Sequence, residues 1–146
     1  MRSLFPEDWE LQNPDTVPIA SEEAREQARL VAGLRRHWSK IEEDDLRPIV
    51  FAVPNGGSRD AREGANLKVQ GVLAGVPDLI ILFPMGITCL IEMKARDGGL
   101  SKSQKELHPL IGALCHTLIV AYCAEEALDA LRKRYFPHDS RIRTAA

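Results

Sequence analysis

Two short apolar runs separated by three turn-forming residues constrain this chain more than any other feature. Leu79-Ile80-Ile81-Leu82-Phe83 and Ile87-Thr88-Cys89-Leu90-Ile91 each read as a strand buried on both faces. Pro84-Met85-Gly86 between them supplies turn residues and predicts a short hairpin. With that loop, Phe83 faces Ile87, and the register runs back to set Asp78 opposite Glu92. Directly opposed residues share one face of a sheet. Glu92 and Lys94 are two apart and share a face as well. Three polar groups therefore converge at one end of an apolar hairpin. A slip of one residue would carry Asp78 to the other face.

The residue types matter as much as the placement. Two carboxylates can hold a hard divalent cation, and a lysine beside them can balance charge on a phosphate or position a water. That is the minimal equipment for metal-assisted cleavage of a phosphodiester. An Asp after Pro is also a common turn residue, and Glu-X-Lys at a strand end is often a solvated edge pair. The two together, joined by apolar strands in workable register, argue for a site.

A chain of 146 residues is expected to form one domain with a real core. Hydrophobic content of 45% with 27% charged residues fits an ordinary soluble globular protein rather than a disordered or membrane chain. No apolar run approaches membrane-spanning length, and Met1 to Glu10 is polar and acidic, unlike a signal peptide. The expected location is the cytoplasm. Cys89, Cys115 and Cys123 lie in apolar stretches without metal-ligand spacing and are expected to be reduced and mostly buried. The net charge of −2 hides an asymmetry: residues 1–45 carry a balance of −5 and residues 46–146 one of +3. The part that carries the carboxylates and lysine is thus locally basic, as a phosphate-binding surface should be.

Residues 1–20, with Pro6, Pro14 and Pro18 and no periodicity, read as an irregular arm. Ser21 followed by Glu22, Glu23 and Glu26 is a helix start, with Ala24, Ala28, Val31, Leu34, Trp38 and Ile41 on one stripe. Glu42-Glu43-Asp44-Asp45 reads as a solvated acidic loop. Ile49 to Val53 is a first strand ended by Pro54-Asn55-Gly56-Gly57, a turn whose spacing matches no phosphate-binding loop. Ser58 to Gln70 reads as a short helix carrying Arg59, Arg62 and Lys68, and Gly71 and Gly75 bracket a tight link into Pro77-Asp78. Beyond the hairpin, Ser101 caps a helix with a buried stripe of Leu107, Leu110, Ile111 and Leu114, which Pro109 should kink or interrupt. Thr117 to Tyr122 is a last strand, and Glu125 to Tyr135 a last helix before a basic tail, residues 137–146. The order helix, strand, helix, strand, strand, helix, strand, helix predicts an α/β fold: a small mixed central sheet flanked by helices, with the strands around the crossover helix parallel.

At Pro54-Asn55-Gly56-Gly57, Gly71 to Asp78, Glu92-Met93-Lys94 and Leu100-Ser101-Lys102-Ser103-Gln104, the chain resembles the PD-(D/E)XK nuclease superfamily, and more narrowly its VRR-NUC family. The likeness covers roughly residues 21 to 135, with a nuclease domain expected over residues 21–136. It implies a restriction-endonuclease-like core and a Mg²⁺- or Mn²⁺-dependent endonuclease acting on DNA. By family position Asp78 and Glu92 are metal ligands, with the Met93 carbonyl as a further donor. Lys94 matches the motif lysine, and Gln104 a glutamine that lines the site from the next helix. A first-helix glutamate recurs in the family; Glu23 fits it, with Glu26 the competing choice. Lys68, Arg59, Arg62 and Lys102 are candidates for DNA contact. Pro109 departs from the family's smooth helix, and His37, His108, His116 and His138 match no catalytic position, so they are read as structural or surface residues. Short stand-alone members resemble four-way-junction resolvases acting as symmetric homodimers, and branched DNA is the expected partner. A flap- or nick-directed repair nuclease, a restriction-like nuclease and a non-catalytic DNA-binding module are the alternatives.

Overall fold

A computed structural model describes residues 18–19, 21–41, 46–54 and 61–135, without the side chains of Ala61 and Arg62. The irregular arm apart from residues 18–19, the acidic run at 42–45, the turn at 55–57, Arg59 and the basic tail lie outside the described residues.

The first helix, α1 (Glu22–Trp38), starts where the sequence places it. The Ser21 hydroxyl accepts from the Ala24 amide at 3.1 Å, satisfying one of the helix's free amide donors. Four strands follow, β1 (Ile49–Ala52), β2 (Leu79–Leu82), β3 (Thr88–Met93) and β4 (Thr117–Ala121), hydrogen-bonded in that order. The helix α2 (Ala61–Val69) joins β1 to β2, α3 (Lys102–Ala113) joins β3 to β4, and α4 (Ala124–Tyr135) closes the described chain. The element order is the predicted one.

The hairpin register is also the predicted one. Leu79 pairs with Ile91 and Leu82 with Thr88. Phe83 donates to the Ile87 carbonyl at 2.8 Å across a turn at Pro84–Gly86. One step beyond the ladder, the same register sets Asp78 across from Glu92. β1 and β2 are antiparallel, and β3 and β4 are parallel, as a helical crossover requires.

The core lies between one face of this sheet and the pair α1 and α4. Leu30, Val50, Leu79, Ile81, Cys89, Ile91, Met93 and Ala127 are essentially shut off from solvent there. Phe83 closes its hairpin end, stacked on Tyr135 at 4.4 Å and edge-on to Trp38 at 6.2 Å. Helix α3 covers part of the other face, against β4.

Several expectations need correction. Neither hairpin strand is buried on both faces: Leu79 and Ile81 are buried, whereas Leu82 and Ile87 are exposed, because the second face is only partly covered. β3 runs on to Met93 because its last residues pair with β4. The buried side of α1 includes Leu30, which the single-stripe reading leaves out, since this helix packs against both the sheet and α4. The apolar stripe expected inside α3 is turned partly outward, with Leu110 and Leu114 well exposed and His108 buried instead. Pro109 does not interrupt α3. The carbonyl it leaves without an amide donor belongs to Lys105, an exposed residue that water can reach. Of the cysteines, Cys115 is exposed; it takes a left-handed conformation (φ 64°) just after α3.

Candidate active site

The sheet positions Asp78 from two sides. Its carbonyl accepts from the Val53 amide at 2.8 Å, extending the β1 pairing, and its side-chain Oδ2 accepts from the Met93 amide at 2.8 Å. The carboxylate thus takes a ladder position that no β2 residue fills. On the other side of the same strand, the Lys94 amide donates to the Ala121 carbonyl of β4 at 2.9 Å. Asp78 and Lys94 are therefore fixed through their backbones before any side-chain contact is made.

Glu92 is the buried member. It is 1% exposed, a rare state for a carboxylate unless it is paired. Alternation along β3 turns it away from the apolar core that holds Ile91 and Met93, toward α3. Its Oε1 meets the Lys94 ammonium at 2.7 Å and accepts a hydrogen bond from Gln104 Nε2. Its Oε2 is buried and meets no hydrogen-bond partner among the described residues. An unsatisfied interior oxygen carries a desolvation cost, and it is a ready donor for a cation.

Gln104 serves twice. Its Oε1 accepts from the Ser101 amide at 2.8 Å, while the Ser101 hydroxyl accepts from the Gln104 amide at 3.3 Å. This capping box starts α3 and leaves the side-chain amide directed at Glu92. The Ser-X-X-Gln spacing was visible in the sequence as a signal for it. The chain before Asp78 is pressed onto this same helix start. Gly75 has φ +87°, and a Cβ there would lie 2.6 Å from the backbone carbon and oxygen of Ser103. Only glycine fits.

The two first-helix acids separate by position. Glu23 Oε2 accepts from the Ala95 amide at 3.3 Å, directly after Lys94, and its charge acts on both Asp78 and Lys94. Glu26 instead accepts from the Ala124 amide at 2.9 Å and pairs with Arg29 at 2.7 Å, holding the start of α4. The geometry brings Glu23, not Glu26, to the cluster.

Burial among neighbouring acids shifts the titration of Asp78. Burial, with the charges of Glu92 and Glu23, pushes Asp78 up from 3.8 to about 6, against the opposing pull of the Met93 amide and Lys94. Burial works to lower the Lys94 ammonium's pKa, but Glu92, Glu23 and Asp78 outweigh it and raise the value, so this lysine stays charged. His108 was not singled out as a site residue, yet it lies one helical turn beyond Gln104 and is buried. Burial lowers its pKa; the Gly75 carbonyl pulls the other way without closing a hydrogen bond. The spacing of four from Gln104 was the available signal.

A groove of about 360 Å³ opens beside Asp78. Leu67 and Lys68 of α2 form one side, Val72 to Val76 another, and Ser101, Ser103 and Gln104 a third. Lys68 is thus at the site's edge. Lys102 is 92% exposed and faces Glu106 at 4.0 Å. Arg59 and the side chain of Arg62 lie outside the described residues.

Among the described residues no three His, Cys, Asp or Glu side chains cluster as a ready-made cage for a metal ion. Two carboxylates, one of them with an oxygen that meets no partner among the described residues, suit an ion that keeps several waters and takes oxygen donors from its substrate, as Mg²⁺ does. They do not suit a closed nitrogen and sulfur site of the zinc type. Among the described residues no helix is long and apolar enough to cross a membrane.

Comparison with known proteins agrees with this architecture. The family model described as VRR-NUC domain matches residues 12–112. A solved VRR_NUC domain protein is 22% identical, with a TM-score of 0.56 over 81% of this chain and 91% of that one, and it shows the shared fold. A second, a VRR_NUC domain, is 16% identical with a TM-score of 0.48 over 76% of this chain and 98% of that one, too remote to add to the argument. No curated protein matches. With the family model spanning more than half its length, the chain belongs to the VRR-NUC family and is a nuclease-type, DNA-processing protein.

Proposed function

We propose that this protein is a Mg²⁺- or Mn²⁺-dependent, structure-specific DNA endonuclease that cuts four-way junctions as a symmetric homodimer. The observation that carries this reading is the state of Glu92: a buried carboxylate with one oxygen held by Lys94 and Gln104 and the other without a partner, next to Asp78.

Asp78 and Glu92 would hold the cation, with the Met93 carbonyl as a further donor. When bound, the ion neutralises charge on the scissile phosphate and acidifies a water for attack. The chain's own groups do the rest. Lys94, kept protonated by the surrounding acids, offers a fixed positive charge to the negative charge that develops on the phosphoryl oxygens. Gln104 holds the Glu92 carboxylate through its side-chain amide, and because the same residue closes the α3 cap its position is set by the helix start. Glu23 fixes the Ala95 amide and so the exit of the chain after Lys94. Lys68, which lines the groove, attracts the DNA backbone, and Arg59, Arg62 and Lys102 are further candidates for contact with it.

The choice of DNA follows from symmetry. A four-way junction presents two related scissile phosphates, and a two-fold dimer presents two related sites. Phosphate contacts position an enzyme without reading bases, so recognition rests on DNA shape. The test is cleavage of labelled four-way junction, flap, nicked and linear duplexes in Mg²⁺, with the solution mass measured alongside. Paired symmetric cuts in the junction by a dimer are expected. Preference for the flap, or binding of all four without cutting, would overturn the junction reading.

A further inference from the structure

The groove beside Asp78 has a composition that phosphate chemistry does not explain. Its lining includes Asp78, Gln104, Lys68, Ser101 and Ser103, all suited to a sugar-phosphate chain. Its walls are aliphatic: Leu67, Val72, Leu73 and Val76. Val72 is 45% and Leu73 55% exposed, so two adjacent apolar side chains face the groove beside an ionic site. They stand on a short segment held between two left-handed glycines, Gly71 (φ +95°) and Gly75 (φ +87°). The contact of Gly75 with Ser103 pins that segment to the start of α3, so the wall is built into the same unit that positions Gln104. Asp78 lines the groove, so a nucleotide next to a phosphate held at Asp78 would lie within its reach.

We infer that the groove takes one unstacked nucleobase next to the scissile phosphate, packed against Val72, Leu73, Leu67 and Val76 with its backbone along Lys68 and the first turn of α3. At about 360 Å³ the space is at the lower end of small-molecule sites, roughly 300–1,000 Å³, and has room for one nucleotide. Apolar walls suit the faces of any base, so the contact is blind to sequence. It is sensitive to structure, because taking a base out of an intact duplex costs several kcal/mol and taking one from a strand that is already unpaired costs far less. Selection of branched over continuous duplex then comes from the groove, while the carboxylates and Lys94 act on the phosphate. This rests on the proposed nuclease reading and adds to it the feature of DNA that is recognised.

The experiment places 2-aminopurine, whose fluorescence rises on unstacking, at the branch point of a four-way junction, at the base of a flap, and centrally in a linear duplex. Full-length protein is added in Ca²⁺ for the fluorescence measurement and in Mg²⁺ or Mn²⁺ for cleavage. A several-fold rise is expected at the branch points and none in the linear duplex. The variant carrying Val72→Ser and Leu73→Ser should lose the rise and cut the branched DNAs at least ten-fold more slowly. The single variant Leu73→Trp, which fills the groove while keeping it apolar, should do the same. Leu114→Ser, an exposed substitution at the far end of α3, should behave as wild type. Cleavage by the wild type with no fluorescence rise, or a normal rise in both groove variants, would overturn this inference and leave the nuclease reading standing. No cleavage of any of the three DNAs by the wild type would overturn both.

Discussion

Asp78→Asn should make the metal-free protein more stable at pH 8, although the residue sits in a hydrogen-bonded and half-buried place. Asparagine has nearly the same shape and its side-chain oxygen can still accept from the Met93 amide. What it removes is the negative charge. In the folded protein the Asp78 carboxyl is raised from 3.8 to about 6. A raised acid binds its proton more tightly folded than unfolded, so its favourable contribution is complete below about 3.8 and is lost as pH rises through about 6. At pH 8 the ionised group therefore opposes folding. At about 1.4 kcal/mol per pH unit the shift corresponds to roughly 3 kcal/mol. The groove leaves Asp78 partly open to water, and screening reduces this to about 1–2 kcal/mol. Urea unfolding in EDTA should show the variant ahead by that amount at pH 8, with the advantage shrinking between pH 6 and pH 4. Mg²⁺ should stabilise the wild type, by about 1.4 kcal/mol at a ten-fold excess over its Kd, and leave the variant unmoved. A variant no more stable than wild type at pH 8, or one whose advantage is the same at pH 4, would mean that the Asp78 charge does not oppose folding.

Three other substitutions probe the surrounding frame. Gly75→Ala places a Cβ 2.6 Å from the Ser103 backbone in a left-handed conformation, and should cost about 2–3 kcal/mol in thermal or urea unfolding; a loss under about 0.5 kcal/mol would show that the loop moves freely off α3. Gln104→Leu removes the Glu92 hydrogen bond and half of the α3 capping box; DNA cleavage should fall about 10–100-fold, with stability lower by about 1–3 kcal/mol. Pro109→Ala restores a missing backbone donor within α3 and should raise stability by about 1 kcal/mol or more without changing cleavage.

The parts that sequence could place were those fixed by short-range pattern. The apolar runs at 79–83 and 87–91, with one three-residue turn, leave little freedom in register, and so the meeting of Asp78 with Glu92 was legible. Ser21 and Ser101 marked their helix starts for the same reason: a cap is a local hydrogen bond. What lay beyond reach depended on distant neighbours. Leu110 and Leu114 looked buried by helical spacing, yet α3 is oriented by Gln104 and His108, which turn toward the site and the Gly75 loop. The choice between Glu23 and Glu26 could not be made from one helix, because it turns on Ala95 and Ala124, which are contacted from across the fold. The unpartnered oxygen of Glu92 likewise emerges only once β3 and α3 are packed together.

The central claim is that Asp78, Glu92 and Lys94 form the working site of a cation-dependent nuclease. Single-turnover cleavage of a labelled four-way junction in Mg²⁺, comparing wild type with Asp78→Ala and Lys94→Ala, tests it most directly. Circular dichroism should show all three proteins folded. The wild type should cleave, with no cleavage in EDTA and none detectable with either variant. Undiminished cleavage by either folded variant would contradict it.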